Sequence, residues 1–114
     1  MTEQEINRKI AEYMGLDVRH VVGNYYKVYE KTLYKKGSYY DIPDYCHSLD
    51  AVWVVEEKLN SDKLWHKYSY ALWNILPISP HVKIDTGYET FVIRHATALQ
   101  CCEAIIKVLE GVEG

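Results

Sequence analysis

The chain has 114 residues, 48% of them hydrophobic, and a formal net charge of −3. This length is enough for one hydrophobic core and too short for two, so we expect a single domain over residues 1–114. The negative charge argues against a protein that holds duplex nucleic acid by neutralising phosphates, because such domains carry a basic excess.

The cysteines and the first residues indicate a protein of the reducing cytoplasm. Cys46, Cys101 and Cys102 are odd in number and two are adjacent, which does not fit a secreted disulfide framework. The chain begins with acidic residues rather than an export signal, and no apolar run approaches the roughly 18 residues of a membrane span. We expect free, buried thiols, no membrane association and a cytoplasmic location.

The first predicted element is an amphipathic helix over about residues 3–14. Thr2 and Glu5 have the spacing of a capping box, and apolar side chains then recur at helical intervals until Gly15 supplies the stop.

Antiparallel strands are predicted next, between Val18 and Tyr45, where β-branched and aromatic residues are frequent. Gly23-Asn24 and Lys36-Gly37 are turn signals. The best paired strands are expected at Tyr25–Leu33 and Ser38–Ile42.

A second helix follows, capped by Asp44 or Ser48 and ending near Asn60. Its predicted apolar face comprises Leu49, Val52, Trp53, Val55 and Leu59. The next segment, Leu64–Ile75, alternates imperfectly, and its Tyr and Trp content favours a strand over a helix.

The last predicted elements are a strand over Thr90–Arg94, after an Asp85-Thr86-Gly87 turn, and a C-terminal helix. That helix has Gly111 past its end and an apolar stripe of Ala98, Cys101, Cys102, Ile105 and Leu109. The order of elements predicts an α+β fold, a three-layer-like α/β/α sandwich in which about three amphipathic helices cover an antiparallel sheet.

Three blocks carry a family resemblance: EINRKIAEYMG at 5–15, IPDYCHSLDAVWVVEEKL at 42–59 and HATALQCCEA at 95–104. Together they resemble the phage ABA-sandwich family, small phage and prophage proteins of mostly unassigned role. The resemblance implies a sheet covered by helices in an accessory protein of the host cytoplasm. Small phage proteins of this build are similar in architecture to the Thoeris anti-defence sponges, which sequester nucleotide immune signals without cleaving them.

The candidate ligand site is the predicted junction of the last strand and the last helix, where Arg94, His95 and Thr97 lie. Thr97 is placed to cap the helix and leave backbone N–H groups facing an anion, and Arg94 to contact a phosphate or carboxylate through two hydrogen bonds. Phe91, Tyr68 or Tyr70 would stack on a base. In the alternative interpretation, Thr97 only caps, Arg94 pairs with a surface carboxylate and His95 packs.

Two other clusters of residues are weaker candidates for a functional site. A zinc site built from Cys46, His47, His95, Cys101 and Cys102 lacks the usual spaced ligand pairs, so inert buried thiols are the better interpretation. The carboxylates of Asp41, Asp44 and Asp50 are interpreted as groups that face a helix start.

Lysines and tyrosines interleave on the predicted hairpin. The lysines are Lys27, Lys31, Lys35 and Lys36, among Tyr25, Tyr26, Tyr29 and Tyr34. Such a surface fits a small nucleotide or a single strand, or it only protects an edge strand from aggregation.

These features lead to a functional hypothesis. We expect a non-enzymatic phage or prophage accessory protein, without cofactor or metal, that forms homo-oligomers and binds a small anionic ligand. A nucleotide-type ligand such as a cyclic nucleotide is favoured, with the protein sequestering an immune signal as an anti-defence sponge. The alternative, favoured by eleven tyrosines and three tryptophans, is a structural or protein-interaction module that binds a host or phage protein through an aromatic face.

Overall fold

Residues 1–32, 35–75 and 96–111 are described by the structure, a computed structural model. Within these ranges it contains four α-helices and a three-stranded antiparallel sheet, which confirms the α+β prediction. The helices are α1 (Glu3–Tyr13), α2 (Leu49–Ser61), α3 (Trp65–Ile75) and α4 (Ala98–Gly111), and the strands are β1 (Val18–Val22), β2 (Tyr25–Thr32) and β3 (Lys35–Asp41). A short 3₁₀ turn, Tyr45–His47, leads into α2.

Helix α1 begins and ends as the sequence predicts. The Thr2 hydroxyl accepts a hydrogen bond from the N–H of Glu5 at 3.2 Å. At the other end, Gly15 has a φ of +82°, and the N–H of Leu16 donates to the carbonyl of Ala11 at 3.1 Å. This left-handed glycine and its hydrogen bonds give partners to carbonyl groups that the helix itself leaves unpaired.

The sheet has β2 at its centre and two differently used faces. Val28 lies opposite Tyr40 in the register and is only 1% exposed. Because side chains alternate along a strand, Tyr29 and Tyr39 lie on the other face, with ring centroids 5.1 Å apart. The guanidinium of Arg19 lies 3.9 Å from the centre of the Tyr29 ring. Stacked aromatic and cationic groups therefore replace aliphatic packing on this second face.

The predicted turn at Gly23-Asn24 is confirmed, but the turn at Lys36-Gly37 is wrong. Both residues lie inside β3, which begins at Lys35 rather than Ser38. The ring of Tyr29 occupies the space that a Cβ atom on Gly37 would fill. Glycine at this position allows the Tyr29 ring to lie close to the backbone. A single sequence does not distinguish a glycine that permits such a close approach from a glycine in a turn.

The prediction of a strand over Leu64–Ile75 is also wrong, because this segment forms α3. Its fully buried side chains, Tyr68 and Leu72, are spaced by one helical turn. Trp65 packs against Tyr68 with ring centroids 5.4 Å apart. Aromatic residues have a weak intrinsic preference for strands. In this segment the burial of side chains spaced by one helical turn outweighs that preference.

Helix α4 is the centre of the hydrophobic core. It contacts the other three described helices and the 3₁₀ turn, and Cys102, Ala104 and Ile105 are fully buried. Gly111 is its last residue rather than the residue beyond it. No helix in the described ranges combines the length and apolarity that crossing a membrane requires.

Helix α2 buries only part of its predicted apolar face. Ser48 caps it, and it ends at Ser61. Val52, Val55 and Leu59 are fully buried, but Leu49 and Trp53 are 41% and 61% exposed. Trp53 follows Val52 by one residue and so points about 100° away round the helix. The predicted strand at Thr90–Arg94 and the turn before it lie outside the described residues.

We expect Gly15→Ala to lower the free energy of unfolding by about 1 kcal/mol, because a Cβ atom is strained at a positive φ. Gly111→Ala is the matched control, since neither position has an atom within 4 Å of a new Cβ. Chemical denaturation measures both. Equal losses in the two variants would contradict the assignment.

We expect Tyr68→Phe to destabilise the protein by about 1–3 kcal/mol, because it removes the donor to a half-buried carboxylate. The Tyr68 hydroxyl donates to Glu56 Oε2 at 2.6 Å. Tyr70→Phe makes the same chemical change on a side chain that is 69% exposed, and it should leave the unfolding midpoint unchanged. A loss in Tyr68→Phe no larger than in Tyr70→Phe would show that the hydrogen bond adds nothing to stability.

Candidate functional site

A groove of about 550 Å³ separates the start of α1 from the turn between β1 and β2. We call it the hairpin groove. Its polar and aromatic lining comprises Gln4, Asn7, Arg8, Asn24, Tyr25, Tyr26 and Asp41.

The local sequence explains why these side chains converge. Gln4, Asn7 and Arg8 are spaced by three and four residues, so they share one face of α1. Tyr25 and Tyr26 follow a tight turn at Gly23, whose φ is +54°. Asp41 ends the strand that pairs with β2, which brings its carboxylate to the same end of the sheet.

Arg8 is the cation of the groove among the described lining residues. Its guanidinium carbon lies 4.4 Å from the centre of the Tyr26 ring, and His20 packs against the same ring with centroids 5.1 Å apart. A carboxylate oxygen of Glu12 lies 4.0 Å from the Nε atom of Arg8. Tyrosine stacking therefore orients the guanidinium, and this long ion pair leaves donors for an incoming anion.

Asn7 connects the groove to the core. Its Oδ1 accepts a hydrogen bond from the N–H of Cys46 at 3.1 Å, and its Nδ2 donates to Asp44 at 3.3 Å. Asp41 is less constrained, with an 84% exposed side chain 3.9 Å from the ammonium group of Lys27. One wall of the groove is thus held by the 3₁₀ turn, and the other presents an accessible carboxylate.

The predicted site at the start of α4 is only partly within the described residues. Thr97 caps α4 as predicted: its Oγ1 accepts from the N–H of Gln100 at 3.1 Å, and its own N–H donates to Gln100 Oε1 at 2.9 Å. These two amides are therefore already paired. Arg94, His95 and Phe91 lie outside the described residues. Tyr70 lies on the exposed side of α3. Ligand binding by this set stays a prediction.

Part of the hairpin groove was predicted from the sequence as a candidate surface. Tyr25, Tyr26 and Lys27 belong to the predicted basic and aromatic surface, and Lys27 lies 5.7 Å from the centre of the Tyr25 ring. The sequence did not indicate Asn7 or Arg8, because a polar stripe on an amphipathic helix is usually a solvated face. What distinguishes this polar stripe of α1 from a solvated face is the hairpin that lies next to it in the folded structure.

The three cysteines are buried free thiols. Burial raises the pKa of Cys46 to about 11 and also raises the pKa values of Cys101 and Cys102. They are therefore protonated and poorly nucleophilic at neutral pH. Across residues 1–32, 35–75 and 96–111, no group of three or more His, Cys, Asp and Glu side chains is arranged to hold a metal ion.

We expect Thr97→Ala to cost about 0.5–2 kcal/mol of stability, because it removes the cap of the central helix. Thr97→Ser keeps the hydroxyl and should stay close to the unmodified chain. Thermal and chemical unfolding measure both, and equal losses would show that the hydroxyl is not the stabilising group.

Comparison of the chain with protein-family models, curated proteins and solved structures gave no significant match.

Proposed function

We propose that this chain is a non-enzymatic binding protein for a small anionic ligand of the nucleotide type, and that the ligand occupies the hairpin groove. The observation that carries the proposal is Arg8, which lies over the Tyr26 ring beside a groove of about 550 Å³. Pockets for small ligands typically span about 300–1,000 Å³ and combine apolar walls with a few convergent polar groups.

Each part of a nucleotide has a partner of matching chemistry in this groove. A phosphate accepts hydrogen bonds from the guanidinium of Arg8. The exposed ring of Tyr25 offers a stacking surface for a base. Sugar hydroxyls and base amino groups donate hydrogen bonds, for which the Asp41 carboxylate and the Gln4 carboxamide are acceptors.

The resemblance of residues 5–15, 42–59 and 95–104 to the phage ABA-sandwich family supports a biological role for this binding. We infer a phage or prophage accessory protein of the host cytoplasm that sequesters a nucleotide immune signal without cleaving it. Homo-oligomer formation belongs to the same proposal. The set Arg94, His95, Thr97, Phe91 and Tyr70 is a second candidate binding surface.

We expect at least one member of a panel of cyclic and linear nucleotides to raise the melting temperature in a concentration-dependent way, by mass action. Arg8→Gln should weaken that ligand about 10- to 100-fold, since a hydrogen bond to a charged group contributes about 1.5–3 kcal/mol. Arg19→Gln is the matched control, because Arg19 also covers a tyrosine ring but does not line the hairpin groove. It should bind as the unmodified chain does.

Two further measurements separate the alternatives. Ligand recovered after denaturation of the complex should be chemically unchanged, and accumulating product would instead show an enzyme. Arg94→Gln tests the second binding surface: loss of affinity there, with none in Arg8→Gln, would move the ligand to the start of α4. A panel without any thermal shift would refute nucleotide binding.

A further inference from the structure

A second concave surface lies between α2 and α3, on a different part of the molecule from the hairpin groove. It encloses about 440 Å³ and is lined by Trp53, Glu56, Glu57, Asn60 and Trp65. We call it the Trp cleft. Trp53, Glu57 and Asn60 follow one another at helical spacing along α2, and Trp65 enters from the first turn of α3.

Part of the cleft is held firmly by the core. The fully buried Tyr68 donates its hydroxyl to Glu56 Oε2 at 2.6 Å and packs its ring against Trp65, with centroids 5.4 Å apart. One residue therefore positions both an aromatic and an acidic wall. A pre-formed surface of this kind loses less conformational entropy when it binds.

The other part of the cleft is open. Trp53 is 61% exposed, an unusual position for the largest apolar side chain, and Glu57 is exposed one turn further along α2. Large exposed aromatic groups beside polar ones are typical of interaction sites. Tryptophan is also the ring with the strongest attraction for cations.

The charges of the cleft define its occupant. Two carboxylates line it, and none of the described lining residues is basic. Lys58, the neighbour of Glu57 in sequence, is engaged elsewhere: its ammonium lies 3.3 Å from Asp62 and 4.9 Å from the centre of the Tyr13 ring. A group that pairs with the carboxylates and also packs against an indole ring must be cationic and must have a flat or methylene-rich surface.

We propose that the Trp cleft docks an arginine or lysine side chain carried by a basic segment of a partner protein. The guanidinium or ammonium group lies against Trp53 and donates hydrogen bonds to Glu57, and the methylene stem packs along Trp65. This surface is independent of the hairpin groove and of any nucleotide bound there.

The test uses the full chain and a glycine-spaced arginine peptide, with a glycine-spaced glutamate peptide as the charge control. Binding is followed by tryptophan fluorescence and by the indole N–H signals in NMR. We expect the arginine peptide alone to bind, with affinity that falls as salt increases. Trp53→Ala should weaken it roughly 2- to 30-fold, the range of a cation–π contact, and Glu57→Gln should weaken it too.

Matched variants make the result specific. Val54→Ala changes the next exposed residue of α2, and Glu30→Gln removes an equal charge from the sheet. Both should bind the peptide as the unmodified chain does, and so should Arg8→Gln. The proposal is overturned if the glutamate peptide binds equally well or if Trp53→Ala and Val54→Ala behave alike. Self-association that Trp53→Ala abolishes, without peptide binding, would assign the cleft to a second copy of the chain instead.

Discussion

Burial of helix α4 is the constraint on which the rest of the described structure depends. Fully buried Cys102, Ala104 and Ile105 lie where α4 meets α1, α2, α3 and the 3₁₀ turn. Apolar burial is favourable but has no direction, so close packing against a common helix decides where the neighbouring elements lie. Because α1 also contacts β1, the same packing sets the position of the hairpin relative to the first turns of α1. The hairpin groove is a consequence of that arrangement.

Directional hydrogen bonds then connect the core to each surface. Asn7 accepts from the backbone of Cys46, so the α1 wall of the hairpin groove is tied to the 3₁₀ turn. Tyr68 donates to Glu56, so a carboxylate of the Trp cleft is tied to the centre of α3. Burial raises the pKa of Glu56, although the Tyr68 hydrogen bond opposes the shift. In both places a hydrogen bond to a buried residue, Cys46 or Tyr68, fixes one wall, and exposed side chains form the other.

The two surfaces differ in charge. The hairpin groove presents a guanidinium, a carboxylate and two phenol rings, whereas the Trp cleft presents two carboxylates and two indoles. They are built from different elements, α1 and the sheet in one case and α2 with α3 in the other. Occupation of one therefore leaves the other accessible. The two proposals, a small anion in the hairpin groove and a basic protein segment in the Trp cleft, are therefore compatible with each other.

The sequence by itself determined the features that depend on neighbours along the chain. The Thr2 and Thr97 caps, the Gly15 stop and the tight turn at Gly23 are local in origin, and each was predicted. For α2 the sequence offered Asp44 or Ser48 as the cap, and Ser48 is the one used. Val52, Val55 and Leu59, the buried residues of α2, were part of its predicted apolar face, because helical periodicity records that face.

Tertiary structure decided the rest. It made Trp65–Ile75 a helix against its strand propensity, because α3 packs against α4 and buries Tyr68 and Leu72 completely. It placed Gly37 in a strand beneath Tyr29, left Trp53 exposed, and turned Arg8 from a surface residue into the cation of a groove. These outcomes depend on contacts between residues far apart in sequence. A local pattern shows which face of an element is apolar, but it does not show how much of that face distant neighbours will cover.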